Sequence, residues 1–453
     1  MDIAVALPLE LLERIFIFST DFPVKFPPSR DQFPIVLCHV CSYWRQVALK
    51  TKLLWNYVGN YPCKSSNRDL HLSILRTWFE RSAPFPIEFV DGGVVEYPPR
   101  VQVRIPNGWT WPFKVIQDVV VPYHSRLRVL RLLLTRQDLN SFFFLPPNYF
   151  DSLEELQLQL CEGTGAYHRV KSKVLQTLPR IRSFMFYDGR TSPDDLHLPW
   201  RQLRTLHITH ALPVALVHSV LCQATSVEDC IFSVQDPFLE PPPPITTFPS
   251  IKRLTLRIIG NSTFSQACIL PSLHDLTIAY NATVDFHESF LPGIQHLTKL
   301  CLVSLSSDNV EPIPLSDIVQ ATPHLTTLIL HTPPIVNKTF LSNLCAGRIV
   351  PHLSHFEFKT SKLRSICEGL TSAVKKYGHS SLESVIIQYE GPRGLSYIDP
   401  NDERSMRRSL GALQLDVSVW KEGLRLGNAI LLYGKGREKL GLDVLALKAI
   451  WQI

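Results

Sequence analysis

The sequence predicts an α/β protein. A small helical unit opens the chain. A solenoid follows in which each repeat supplies one strand plus a helix or irregular segment, and the strands stack into a curved parallel sheet. Three observations predict this. The pattern apolar-x-x-apolar-x-apolar occurs eleven times, beginning at Leu127, Leu153, Ile181, Leu203, Val227, Ile251, Leu273, Leu297, Leu325, Leu353 and Leu382, at intervals of 22 to 29 residues. Between these hexads lie apolar segments of helical length, clearest at 166–178, 214–224 and 361–377. Ahead of them, residues 7–55 hold short amphipathic pieces dense in Leu, Ile, Phe and Trp.

The first piece is a helix by its pattern. Pro8 suits a first turn, where its missing N–H costs nothing. Leu12, Ile15 and Phe16 form one apolar stripe, widened by Leu9 and Leu11. Glu10 sits where the helix dipole favours negative charge. Ile35, Val36, Val40 and Cys41 suggest a short buried helix, and Ser42 is placed to cap the next one. Trp44, Val47, Ala48 and Thr51 then align at helical spacing, and Trp55 closes the unit. A helical unit of this size cannot bury so many large apolar groups by itself. Its cover must come from the rest of the chain or from another protein.

Three pieces in order, Leu7-Pro8-x-Glu10-x-Leu12-x-x-Ile15-Phe16, Val40-Cys41-x-x-Trp44-Arg45 and Leu54-Trp55, resemble an F-box of the kind abundant in mushroom-forming fungi. The chain departs from that pattern in the long insert 19–34 and in Lys52, where a proline is common. The resemblance implies docking on the Skp1 adaptor, and through it on a cullin, by Leu7, Pro8, Leu12, Ile15, Phe16, Val40, Cys41, Trp44 and Trp55. Some of these must instead hold the helices together, and the sequence does not separate the two roles. The competing reading is a plain helical cap on a larger domain.

Residues 59–126 connect this unit to the hexads and have room for one or two worn repeats. An amphipathic segment ends at 78–82, and 86–90 reads as a strand. In each hexad the fourth and sixth residues share one strand face, because side chains alternate. Prolines at 179, 249, 271, 323 and 351 stand just ahead of hexads, where they end the preceding segment without costing a ladder bond. No strand–helix unit of this kind buries its own face, and stacking the units buries one continuous core. The interval and the hexad resemble those of leucine-rich repeats. The asparagine or cysteine that follows the hexad in that family is present only as Cys161 and Asn281, which implies an irregular convex side.

Beyond the last hexad, 401–413 is helix-like with Arg404, Arg407 and Arg408 on it, while 415–420 and 429–433 read as strands. Exposed solenoid ends need a cap. The domain reading is therefore 1–58 F-box, 59–126 connecting segment, 127–399 solenoid and 400–453 cap. The loop 235–249, with prolines from 241 to 244, is a stiff connection between repeats.

Composition narrows the function. The chain has 453 residues with 45% hydrophobic and 19% charged content and a net charge of +6, which fits an ordered protein. No dense Lys/Arg run appears, which argues against a nucleic-acid partner. Asp2, Glu10, Glu13 and Arg14 do not fit a secretory signal. The long uncharged run 205–227 holds three histidines and a proline, unlike a membrane span. A cytoplasmic or nuclear location and reduced cysteines are expected.

Catalytic signatures are missing. Gly434-Lys435-Gly436 lacks the rest of a phosphate loop, and no G-x-S-x-G elbow exists. His287-Glu288 has no second histidine at metalloprotease spacing. Cys38-x-x-Cys41 has no second ligand pair for zinc. No catalytic residue, metal or cofactor is expected. The expected function is a non-enzymatic substrate adaptor of a Skp1–cullin–F-box ubiquitin ligase; the alternative is a leucine-rich-repeat scaffold acting outside a ligase. Eleven strands give a target face roughly 50 Å long, suited to a protein. Its outward positions include Arg131, Gln157, Gln159, Tyr187, His207, Arg253, Arg257, His331 and Lys359. That mixture leans basic and aromatic, which fits an acidic target segment, and a merely solvated strand face is an equally good reading of each residue.

Overall fold

A computed structural model describes residues 7–91 except 21, 62, 65 and 66; 109–110; 114–160; 172–187; 192–236; 241–281 except 261; 290–305; 315–331; 336–378 except 361; 381–389; 410; 416–422; and 429–433. The chain divides into two compact units, Met1–Thr209 and His210–Ile453. Each is an α/β unit built on parallel strands stacked in chain order, which is the arrangement of a leucine-rich-repeat solenoid.

The first unit opens with α1 (Leu9–Phe18), β1 (Val24–Phe26), α2 (Leu37–Val40), α3 (Ser42–Lys50) and a 3-10 turn at Lys52–Trp55. β2 (Tyr57–Asn60), α4 (Arg68–Arg81) and β3 (Ile87–Asp91) follow, then β4 (Leu127–Leu134), β5 (Glu155–Leu160), β6 (Ser183–Tyr187) and β7 (Thr205–Leu212). Every neighbouring pair is parallel. One row of buried side chains runs across all seven strands: Val24, Val58, Phe89, Leu130, Leu156, Phe184 and Leu206. The fourth hexad position builds that row from β4 onward. Before it, β3 is the strand expected at 86–90. β1 is a strand inside the insert 19–34, where the residue pattern carries no strand signal.

The second unit carries β8 (Asp229–Val234), β9 (Arg253–Ile258), β10 (Asp275–Tyr280), β11 (Lys299–Ser304), β12 (Thr327–His331), β13 (His355–Thr360), β14 (Ser384–Tyr389) and β15 (Asp416–Glu422), each parallel to the last. β16 (Ala429–Tyr433) returns antiparallel to β15. Two buried rows define the core. Cys230, Leu254, Leu276, Leu300, Leu328, Phe356 and Val385 form one; Phe232, Leu256, Ile278, Leu302, Leu330, Phe358 and Ile387 form the other. The first residue of every one of the eleven hexads is also buried.

Helices fill the return paths where the apolar spacing is helical, at α5 (Val214–Gln223), α6 (Lys338–Cys345) and α7 (Leu363–Tyr377). The expected helix at 166–178 is different. Its described part is a single 3-10 turn at Val174–Thr177, which Leu178-Pro179 ends. The helix-like stretch 401–413 lies outside the described residues except Leu410.

Candidate protein-docking surface

The N-terminal helices are assembled from the inside by aromatic residues. The Pro8 carbonyl accepts from the N–H groups of Leu11 and Leu12, both at 3.1 Å, and starts α1. Leu12 and Phe16 point inward, and the Phe16 ring lies 5.0 Å from that of Trp44 on α3. The cap of α3 is Cys41 rather than Ser42. Cys41 is extended (φ −157, ψ 172), and its sulfur accepts from the Trp44 N–H at 3.4 Å. The chain reaches α3 one residue earlier than the hydroxyl suggested, which also gives Cys41 a structural role. Trp55 lies deeper still. Its Nε1–H donates to the Ala48 carbonyl at 2.9 Å, and its ring meets Trp78 of α4 at 4.7 Å. The Arg81 guanidinium lies 4.7 Å over the Trp55 ring centroid.

These contacts divide the nine expected docking residues. Leu12, Phe16 and Trp55 are fully buried, so in the free chain they hold the helices together and a partner does not reach them. Leu7, Cys41 and Trp44 are half-buried; Pro8, Ile15 and Val40 are exposed. α1 has a second apolar stripe on its outer side: Leu11 (48% exposed), Ile15 (45%) and Phe18 (87%). Leu9, Leu49 and Leu53 are exposed as well. Leu11, Phe18, Leu49 and Leu53 are not among the nine. Their signal is legible, since the apolar side of α1 is wider than the stripe that meets the core, with Glu10, Glu13 and Arg14 gathered on the opposite side, and the remainder of that apolar side needs cover. Exposed large apolar groups spaced along one helix mark an interaction surface.

The expected target face is less open and less basic than the sequence suggested. The third, fifth and seventh hexad positions do share one face, but Gln157, Gln159, Tyr187 and His331 on it are buried. In the second unit the reason is a further apolar cluster on that face, Ala279, Cys301, Val303 and Ile329, with Leu305 packed against it. The positive groups are also neutralised within the sheet. Asp229, Arg253, Asp275 and Lys299 stand side by side on four adjacent strands with alternating sign. Arg253 donates to Asp229 at 2.8 and 3.1 Å, and Lys299 lies 3.5 Å from Asp275. In the first unit Arg131 donates to Glu155 at 2.5 Å. His207, Arg257 and Lys359 are half-buried.

The seventh-position His331 pairs with fifth-position Glu357 across β12 and β13, at 2.9 Å and both buried. Gln388 of β14 donates to the same carboxylate oxygen at 2.6 Å, and His355 Nε2 lies 3.9 Å from the other. Burial alone would raise the Glu357 pKa. The His331 hydrogen bond and the nearby charges of His331 and His355 outweigh burial and bring it down to about 2. Glu357 is therefore an internal anion held by three strands. Among the described residues no group of three or more His, Cys, Asp and Glu could hold a metal ion, and no helix is long and apolar enough to cross a membrane.

No family model and no curated protein matches the chain. Among solved structures it is similar to the protein of the crystal structure of a TLR13–ssRNA13 complex, with 16% identity and a TM-score of 0.36. The match covers 67% of this chain, and the chain spans about 45% of that one. The parallel strands stacked in chain order, with their buried rows, define the fold.

Proposed function

We propose that the chain is a protein-binding adaptor whose N-terminal helices dock on a Skp1-type adaptor and whose repeats hold a target protein for ubiquitination. The reading is of a binding protein without an active site. The observation that carries it is the outer stripe of α1. Leu11, Ile15 and Phe18 are exposed on a helix that bears the F-box-like motif, while the core beneath them is already closed by Phe16, Trp44 and Trp55. A partner helix laid on that stripe would bury apolar groups at about 25 cal/mol per Å² of area removed from water. The ligase role is a proximity effect: a scaffold that holds the target near an activated ubiquitin raises its effective concentration.

The test is co-expression of the full chain with Skp1, followed by size-exclusion chromatography, beside the double variant Ile15→Glu/Phe18→Glu. A one-to-one complex that is lost in the variant, with circular dichroism unchanged, supports the adaptor. A monodisperse chain that ignores Skp1 overturns it and leaves the scaffold outside a ligase. One observation favours that second reading. β1 in the insert pairs with β2 over Val24–Phe26 and ties the helical unit into the repeat sheet, as an end cap would be tied.

A further inference from the structure

A chain of polar contacts on the second unit ends at an exposed thiol. His218 and Cys222 lie one turn apart on α5, and the Cys222 sulfur is 3.8 Å from His218 Nδ1. The other ring nitrogen, Nε2, is 2.8 Å from Thr246 Oγ1, and Thr246 Oγ1 is 3.2 Å from the Pro244 carbonyl oxygen. The direction of this chain follows from its last member. A carbonyl oxygen only accepts, so the Thr246 hydroxyl donates to Pro244 and its oxygen is left to accept from His218 Nε2–H. Nδ1 then carries the lone pair and is the acceptor for the Cys222 S–H. His218 itself is buried, with the Phe248 ring 5.6 Å away at 77°, whereas Cys222 is exposed. Burial pushes the His218 pKa down against the opposite pull of the Pro244 carbonyl, which keeps the imidazole in the proton-accepting form. The stiff proline run 241–244 thus fixes the carbonyl that sets the tautomer.

From this geometry we infer that Cys222 is a modification site for soft electrophiles of the α,β-unsaturated carbonyl class, with His218 as its proton acceptor and Thr246 as a positioning residue. A thiol beside an oriented base is the arrangement of an activated nucleophile. In the step, the Cys222 S–H proton passes to His218 Nδ1 and the sulfur lone pair forms a bond to the β-carbon of the acceptor. The carbon–carbon π pair moves to the α-carbon, which takes the proton back from His218. No atom leaves and no oxidant is needed.

Acrylamide is the probe. The full chain is treated near neutral pH in competition with glutathione, and adducts are located by peptide mass spectrometry after quenching. Cys222 is expected to react faster than glutathione, because its thiol has an oriented proton acceptor beside it. In His218→Gln its rate should fall to the glutathione level while labelling of Cys41, in the N-terminal helices, stays as in the wild type. Thr246→Val should slow Cys222 in the same direction. A wild-type ratio at or below one overturns the inference by itself, so it stays testable even where His218→Gln does not fold. A fast rate kept in folded His218→Gln also overturns it, as does a fast adduct that persists in Cys222→Ser.

Discussion

Glu357 shows how much a single position can differ from its pattern. As the fifth residue of its hexad it should face solvent, and it does lie on the outer strand face. That face, however, is covered around Cys301 and Ile329, so the carboxylate sits inside and relies on His331, His355 and Gln388. Strand alternation reports which side a residue takes, not whether that side is covered, so the side taken by His331 was legible and its burial was not. The consequence is a pH dependence with a definite sign. The folded-state pKa of about 2 lies below the ordinary 4.5, so the group's contribution to stability is complete above about 4.5 and is lost as pH falls through 2. Urea midpoints across that window should fall with acid in the wild type. In Glu357→Gln this component of the fall should be missing, and the variant should be about 2 kcal/mol less stable at neutral pH. Equal midpoints for the two proteins at neutral pH would show that the internal anion adds nothing. Trp55 makes the opposite case, where the residue type stands out in the sequence and its role does not. Its ring is enclosed by Trp78, Arg81 and the Ala48 carbonyl, so Trp55→Ala should cost about 3–5 kcal/mol in chemical denaturation. A surface docking residue would cost far less.

At the scale of elements, α1 was readable because ten residues contain enough apolar groups to show helical spacing. What the spacing did not show was which of two apolar stripes meets the core, since that depends on where α3 crosses. Phe16 meets Trp44, so the Leu11, Ile15 and Phe18 side turns outward. Substituting that side should separate binding from folding. Ile15→Glu and Phe18→Glu are expected to shift stability by no more than about 0.5 kcal/mol each, as surface changes do, while removing the docking proposed above. A cooperative loss of several degrees in melting temperature would place these side chains in the fold. β1 was not readable for a different reason. Its three residues, Val24–Phe26, lie between Pro23 and Pro27, too few for a period of two to appear and bounded by residues that usually interrupt strands. The cap of α3 differs by one residue from the expected position because a hydroxyl is the commoner cap, and here a sulfur takes its place.

For the whole molecule, the repeat interval carried the most information, because every hexad from Leu127 to Leu382 became a strand with its first residue in the core. The interval says where strands recur but nothing about how the last one is finished, and that end gives the most direct test of the architecture. β15 lies parallel to β14 from Asp416 to Lys421, and β16 folds back antiparallel on β15. A solenoid grows by adding parallel strands, so a strand that reverses direction ends the series. Removing 410–453 would strip β14 of its β15 partner, leave it paired only with β13, and open the N–H and C=O groups of Ser384–Tyr389 that now face β15. Val385 and Ile387, now buried, would stand beside that open edge. An unpaired edge of this kind is a template for another chain. The truncated protein is therefore expected to self-associate in a concentration-dependent way by light scattering, while the full chain at the same concentrations does not. Lysine placed at Ile386, in the middle of the bared edge, should reduce that association, because charged side chains are a common guard on edge strands. A truncated chain that stays monomeric across the same range would mean that β15 and β16 do not serve as the cap, and that β14 is protected in another way.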